Sequence, residues 1–337
     1  MLSKQIKELK KKWLRIRQLL KLEHYRLILD TAHCNLKCSM CPRGGLNGLE
    51  NPEKGLMSFE LFKKIIEKFI HEKVRIFSIE FGNWGEPLLN PDLPKMIRFA
   101  RSNAKWMAPD LDIFSNTTLN HLPDPMALLE SGINRIKISV SGMTQEIYSR
   151  NHQGGNIEVV LSNILKLVDT KNKSGLKNIR LGMIFHEYLY NKHEVEIARK
   201  FCNKHGLTFG LRRTYIPCVE DNIEFLKHKE KLSGFYSQFI DLDKEISLMK
   251  TLDPADACYC RLRWNRVTVH FNGQLYRCCG VFEKKFFLGS VFDFKIIDIP
   301  QMDSEICKKC AETPVSWRES ILPLINMMGK KNSAKKF

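Results

Sequence analysis

Residues 31–42 read T-A-H-C-N-L-K-C-S-M-C-P and place three thiols, Cys34, Cys38 and Cys41, within one short loop. A structural zinc site closes its tetrahedron with four ligands, and an electron-transfer iron–sulfur cluster is normally held by four thiolates. Three cysteines so close together can hold three irons of a [4Fe–4S] cube and leave the fourth iron open to another ligand. A zinc knuckle completed by His33 is the alternative that these residues alone leave standing.

Working outward, Tyr25 begins a strand, R-L-I-L-D, that runs into the cysteine loop. Ser58 is placed as the N-cap of a helix, F-E-L-F-K-K-I-I-E-K-F-I, with Glu60 in the first turn where it complements the helix dipole. Strand-like runs follow at 74–81, 110–115, 135–140, 178–185 and 207–212, and helical patterns at 91–104, 123–131, 156–173 and 191–205 separate them. Six strands alternating with helices imply a parallel sheet with right-handed crossovers. The expected fold is an α/β barrel, open or closed, with its site at the C-terminal ends of the strands.

The C-x3-C-x2-C spacing on a loop after the first strand resembles the radical S-adenosylmethionine (radical SAM) superfamily. The resemblance implies a partial (β/α)6 barrel with a [4Fe–4S] cluster on Cys34, Cys38 and Cys41, whose open iron binds S-adenosylmethionine (SAM). An electron from the cluster then cleaves the sulfonium to a 5′-deoxyadenosyl radical. Met40 stands where the family often has an aromatic residue. Gly85-Glu86-Pro87, in F-G-N-W-G-E-P-L-L, resembles the family's Gly-Gly-Glu motif, which implies that Glu86 and nearby carbonyls hold the SAM ammonium. Ser115-Asn116 falls where the family often has Thr-Asn-Gly. The run from Ser139 to Glu158 resembles the fourth-strand segment, making Ser139, Ser141 and either Arg150 or His152 candidates for the SAM carboxylate and ribose.

A second set of cysteines begins with C-Y-C at 258–260. The strand V-T-V-H-F, a turn at Asn272-Gly273 and the return Q-L-Y-R-C form a hairpin signal. It brings Cys260 near Cys278, and Cys307 and Cys310 follow on a C-x2-C turn. Four thiolates suffice for a closed site, of zinc or of iron and sulfide. Cys260, Gly273 and Cys278 in this spacing resemble the opening of the SPASM domain in its shorter, one-cluster twitch form, and L-G-S-V at 288–291 sits where that family has a Leu-Gly-Asn turn. This implies an auxiliary [4Fe–4S] cluster on Cys260, Cys278, Cys307 and Cys310, with Cys258 and Cys279 as alternatives to Cys260 and Cys278. Cys202 and Cys218 have no partner pattern and read as buried small hydrophobes.

The domain organisation expected is a basic amphipathic helix at 1–24, the barrel at 25–215, a helical connector at 216–254, the small C-terminal SPASM/twitch-like iron–sulfur domain at 255–312, and a helix with a basic tail at 313–337. The chain has 337 residues and a formal charge of +17. Residues 1–22 carry +7 and the tail 329–337 carries four lysines without an acid, so the body holds only +6. The N-terminal helix suits either a membrane surface or packing on the body. No apolar run of transmembrane length or signal peptide is read, and eleven cysteines in an unexported chain argue for metal ligation in a reducing compartment. The cytoplasm is expected, with peripheral contact at the inner membrane surface through residues 1–22 left open.

The reaction expected is hydrogen abstraction from a hydroxylated small molecule or glycan intermediate, with the auxiliary cluster accepting an electron, as in the aminoglycoside-pathway alcohol dehydrogenases that the one-cluster form resembles. A reducing partner such as a flavodoxin or ferredoxin is implied. The alternatives are a radical SAM peptide maturase, for which no recognition module of about 80 residues is seen before Cys34, and a metal-stapled nucleic-acid-binding protein. Aromatic residues interleaved with the basic ends are scarce, which counts against nucleic acid. Arg212 or Arg213 can face the barrel mouth or solvent.

Overall fold

The computed structural model describes residues 25–44, 53–103, 111–214, 216, 221, 224, 234–242, 265–281, 284–299 and 304–311. The expected N-terminal helix, the basic tail, most of the connector, and Cys258 and Cys260 lie outside these residues. Six strands come first: β1 (Tyr25–Leu29), β2 (Ile76–Phe81), β3 (Asp112–Thr117), β4 (Arg135–Val140), β5 (Arg180–Glu187) and β6 (Thr208–Arg213). Each pairs in parallel with the next. Parallel neighbours cannot be joined by a tight turn, so helical crossovers connect them.

Those crossovers are α1 (Phe59–His71), α2 (Leu93–Ser102), α3 (Pro125–Leu129), α4 (Gln145–Ser149), α5 (Ile157–Ser174) and α6 (Val195–Lys204). Phe62, Ile65, Ile66 and Phe69 make one buried stripe along α1 at helical spacing. Ser58 caps that helix by accepting from Leu61 N–H at 3.2 Å, a contact worth about 1 kcal/mol. Asn156 caps α5 and Gly175, at φ +68°, ends it in the left-handed conformation a glycine tolerates. The short helix α4 was not read from the sequence, and the run expected at 191–205 starts as a 3-10 turn, Lys192–Glu194.

Period-two alternation separates the two faces of the sheet. Ile136, Ile138 and Val140 of β4 join the core beneath the helices, so Arg135, Lys137 and Ser139 face the other way, onto the inner face of the barrel. Leu27, Leu29, Ile79, Phe81, Met183 and Phe185 repeat this division on the neighbouring strands.

The C-terminal strands are β7 (Arg266–Val269), β8 (Gln274–Tyr276) and β9 (Phe287–Ser290), followed by α7 (Glu305–Ala311). The Asn272-Gly273 turn joins β7 to β8, with Gly273 at φ +86°. β7 adds in parallel to the edge of β1 opposite β2, with Arg26 against Arg266. The described strands therefore form one sheet in the order β6-β5-β4-β3-β2-β1-β7-β8-β9, open at β6 and β9. Val267, Val269, Leu275, Val291, Ile296 and Ile299 belong to the same core as the barrel. The expected small second unit thus prolongs the first sheet, because β1 would otherwise present an unpaired edge. Among the described residues no helix is long and apolar enough to cross a membrane.

Candidate active site

The three-cysteine loop leaves β1 and is held from two sides. On one side His33 N–H donates to Gly55 O at 2.9 Å, and His33 O accepts from Glu86 N–H at 3.0 Å. On the other, Lys37 N–H meets Gln153 O at 3.0 Å and Ser39 N–H meets Asn151 O at 2.9 Å. Ser39 Oγ donates to Arg150 O at 2.8 Å, and Met40 N–H to Asn151 Oδ1 at 3.1 Å. The segment after α4 is therefore a clamp on the loop. At the loop's end, a Cβ on Gly44 would lie 2.1 Å from Cys38 O, so only glycine permits that close return.

Asp30, the residue directly after β1, organises the second loop. Its Oδ1 accepts from the N–H groups of Asn83, Trp84 and Gly85 at 3.0, 2.8 and 3.2 Å. Gly85 lies against the cysteine loop so closely that a Cβ would sit 1.9 Å from Ala32 O. Asn90 ties the same region together by donating to Thr31 O and Met57 O, both at 2.9 Å. Asp30, Asn90 and Asn151 were missed by sequence reasoning. Their signal is only that a polar residue follows a buried strand or a tight turn.

The candidate SAM contacts divide. Gly85, Asn116, Ser139 and Ser141 lie around the C-terminal ends of β2, β3 and β4. Asn116 donates to Gly82 O at 3.2 Å and to the Glu80 carboxylate. Ser115 is fully buried and shares the helix-side face with Ile113, because successive residues of a strand point oppositely. Glu86 is buried as well. Its carboxylate is buried and accepts from Thr117 Oγ1 at 2.7 Å, Thr118 N–H and Oγ1 at 2.8 Å each, and Leu88 N–H at 3.2 Å. Both oxygens are thereby engaged in fixing the loop.

His152 is buried, 2.5 Å from Ser141 Oγ through Nδ1 and stacked on Tyr148 with ring centroids 4.6 Å apart. Burial pushes its pKa down to about 4, so it is a neutral packing element at neutral pH. Arg150 is exposed and lays its guanidinium over Tyr190 at 4.1 Å. Met40 is buried in a second apolar cluster with Tyr188, Ile216, Tyr236 and Phe239, so its side chain anchors the loop to the region after β6.

Burial raises the pKa of all three loop thiols, that of Cys34 to about 12. Without a cation beside them they stay protonated, and a cationic iron cluster is the partner that favours their thiolates. The donor set fits such a cluster. His33 points Nδ1 at Gly55 O, 3.2 Å away, and among the described residues no three His, Cys, Asp or Glu side chains converge on a single metal ion.

The second cysteine set begins just after β8, two strands from β1. Cys278, Cys307 and Cys310 each pack against the small apolar cluster of Tyr276, Val281 and Ile306. Arg277 Nε donates to Cys307 Sγ at 3.2 Å, and Gly280 N–H to Cys278 Sγ at 3.4 Å. Cys279 turns the other way, its Sγ 3.5 Å from Arg266. Cys278 borders this cluster, and Cys279 is the one that meets Arg266. The two sites touch through Asn83, whose Nδ2 donates to Cys279 O at 3.2 Å.

The fold and the loop together define the class of protein. Residues 28–188 match the family model of the Radical SAM superfamily, and this part of the chain is a radical SAM domain, of the kind that uses a [4Fe–4S] cluster and SAM. Similar curated proteins include a probable GTP 3′,8-cyclase of Methanococcus maripaludis strain C7, 27% identical over 217 residues, 64% of this chain and 63% of the relative. A GTP 3′,8-cyclase of Listeria monocytogenes is 31% identical over 165 residues, 48% of this chain and 45% of the relative. The chain thus matches less than two thirds of these relatives' own length. Among solved structures, anSMEcpe with bound AdoMet superposes with TM-score 0.57 at 17% identity, covering 85% of this chain and 79% of that one. Streptococcus suis SuiB bound to S-adenosylmethionine gives 0.57 at 12%, covering 92% and 75%. At these identities the two structures share the fold.

Proposed function

We propose that this chain is a radical SAM enzyme that oxidises a hydroxylated small molecule or glycan intermediate and passes an electron to an auxiliary [4Fe–4S] cluster. When bound, the first cluster and SAM supply the 5′-deoxyadenosyl radical that removes a hydrogen atom from substrate. Cys34, Cys38 and Cys41 hold the first cluster, and the clamp from residues 150–153 fixes their loop. The turn at 83–85, pinned by Asp30, offers backbone carbonyls to the SAM ammonium, while Asn116, Ser139 and Ser141 stand where its other polar groups would lie. Cys278, Cys307 and Cys310, with Cys260, hold the auxiliary cluster.

The observation that carries this reading is the bond from Asn83 to Cys279. It joins the turn beside the radical site to the hairpin bearing the second thiol group, and so keeps an electron acceptor close to the substrate. Cyclisation of a purine nucleotide is the second reading, favoured by the similarity to GTP 3′,8-cyclases. A peptide substrate, as named for the anSMEcpe and SuiB structures, is the third reading.

The test is iron and sulfide content of anaerobically prepared protein, with 5′-deoxyadenosine formed from SAM under a strong reductant. Wild type is expected to hold about eight irons, as two cubes require, and the Cys34→Ala/Cys38→Ala/Cys41→Ala variant about four, with no deoxyadenosine. Zinc without iron would sink the enzyme reading. Turnover of GTP to a cyclised product would favour the second reading over oxidation.

A further inference from the structure

A buried guanidinium lies against the second thiol group. Arg277 follows β8 directly and is 2% exposed, the largest of the fully buried side chains among the described residues. Its Nη1 donates to Ile299 O at 2.8 Å and its Nε to Cys307 Sγ at 3.2 Å. Ile299 belongs to the core shared with the barrel, and Cys307 lies on α7. One side chain thus ties the end of β8 to both.

The contact with sulfur has a consequence beyond packing. Burying a guanidinium costs its hydration. A neutral thiol is a weak acceptor and returns little of that cost. A metal-bound thiolate carries negative charge, and a charge-assisted bond to it is roughly twice as strong as a neutral one. Arg277 therefore suits Cys307 better as a ligand than as a free thiol. Cys278 has a donor of a weaker kind, the uncharged Gly280 N–H at 3.4 Å.

We propose that Arg277 raises the reduction potential of the auxiliary cluster through its bond to Cys307. This rests on the reading of Cys278, Cys307 and Cys310 as ligands of that cluster, and it names the residue that makes the site a good electron acceptor. Reduction adds one electron, and hence one negative charge, to a group that its thiolates already make anionic. A fixed positive charge against one of those sulfurs stabilises the reduced form more than the oxidised form. Burial keeps solvent ions from screening the effect. The N–H···S bond acts in the same direction, because it draws electron density away from the ligand. The electron itself comes from substrate in the reaction proposed above. Arg277 acts only through Cys307, by moving the position of that equilibrium.

The test uses the full chain carrying Cys34→Ala/Cys38→Ala/Cys41→Ala, reconstituted anaerobically so that iron is held by the auxiliary site alone. Its midpoint potential is read by mediated redox titration, following the paramagnetic signal of the reduced cluster, with Arg277 intact, as Arg277→Gln and as Arg277→Lys. The equilibrium constant for reduction is expected to fall about tenfold in Arg277→Gln, which is ~59 mV for one electron, at unchanged iron and sulfide content. Arg277→Lys keeps a charge but lacks the planar fork that serves Ile299 O and Cys307 Sγ together, and a fall of about threefold is expected. An unchanged potential in Arg277→Gln, with its iron intact, overturns the proposal and leaves the auxiliary cluster standing. Should the glutamine variant fail to take up iron, the lysine variant decides, and a potential equal to that of the parent chain overturns the proposal. Zinc in place of iron in the parent removes the auxiliary cluster and the proposal with it. Deoxyadenosine formation by the chain with its cysteine loop intact tests the radical reading independently of all three results.

Discussion

One carboxylate oxygen, Oδ1 of Asp30, accepts from three successive backbone N–H groups. Desolvation raises the pKa of this buried acid, and the bonds from Trp84 and Asn83 oppose the shift. Its removal leaves three donors to find other partners. Asp30→Ala is expected to lower stability by about 3 kcal/mol and Asp30→Asn by less, since an amide oxygen still accepts; urea unfolding of the two variants against wild type measures the difference. In the sequence Asp30 is simply the end of R-L-I-L-D, and its three partners lie more than fifty residues away. The cysteines were legible because their chemistry needs a local spacing. Asp30, Asn90 and Asn151 were not, because they act through backbone groups that only the fold brings near. Glu86 was legible as a motif, but the fourfold engagement of its carboxylate depends on Thr117 and Thr118 at the end of another strand.

At the scale of elements, the six parallel strands were read to within about two residues, and β4 to the residue, since apolar alternation and helix caps are local signals. The hairpin was equally visible in V-T-V-H-F and Asn272-Gly273. What the sequence did not reveal was its docking on β1, because strand partners leave no local mark in an apolar run. This docking has an energetic consequence. Val267, Val269, Leu275 and Val291 are each buried to 1% exposure or less, and β7 covers an edge of β1. A chain ended after residue 254 is expected to expose that edge and lose most soluble yield. Comparing soluble fraction and thermal midpoint with those of the full chain tests this; a truncated form with an unchanged midpoint would show that the barrel stands alone.

For the whole molecule, the titration of buried histidine sets a limit in acid. In the unfolded chain His152 takes up a proton near pH 6.5, whereas in the folded chain burial keeps it neutral until about 4. The unfolded state therefore binds more protons across that window, and stability falls as pH drops from about 6.5 to about 4. The expected contribution is about 3 kcal/mol. His152→Gln should flatten the decline in thermal midpoint over this range, and an unchanged slope would assign the acid sensitivity elsewhere. Charge was only partly legible at this scale. The excess basicity of the two ends stands out in the sequence, but Arg26, Arg135 and Lys137, whose charges lie over the Phe114 ring, come from strands far apart and appear as a group only when the sheet is assembled. The same sheet also dictates an order of events as the chain folds. Arg26 pairs with Arg266, so the strand that launches the cysteine loop gains its second neighbour only from a segment some 240 residues further along the chain. The cysteine loop therefore takes its final setting only once the hairpin has docked on its first strand.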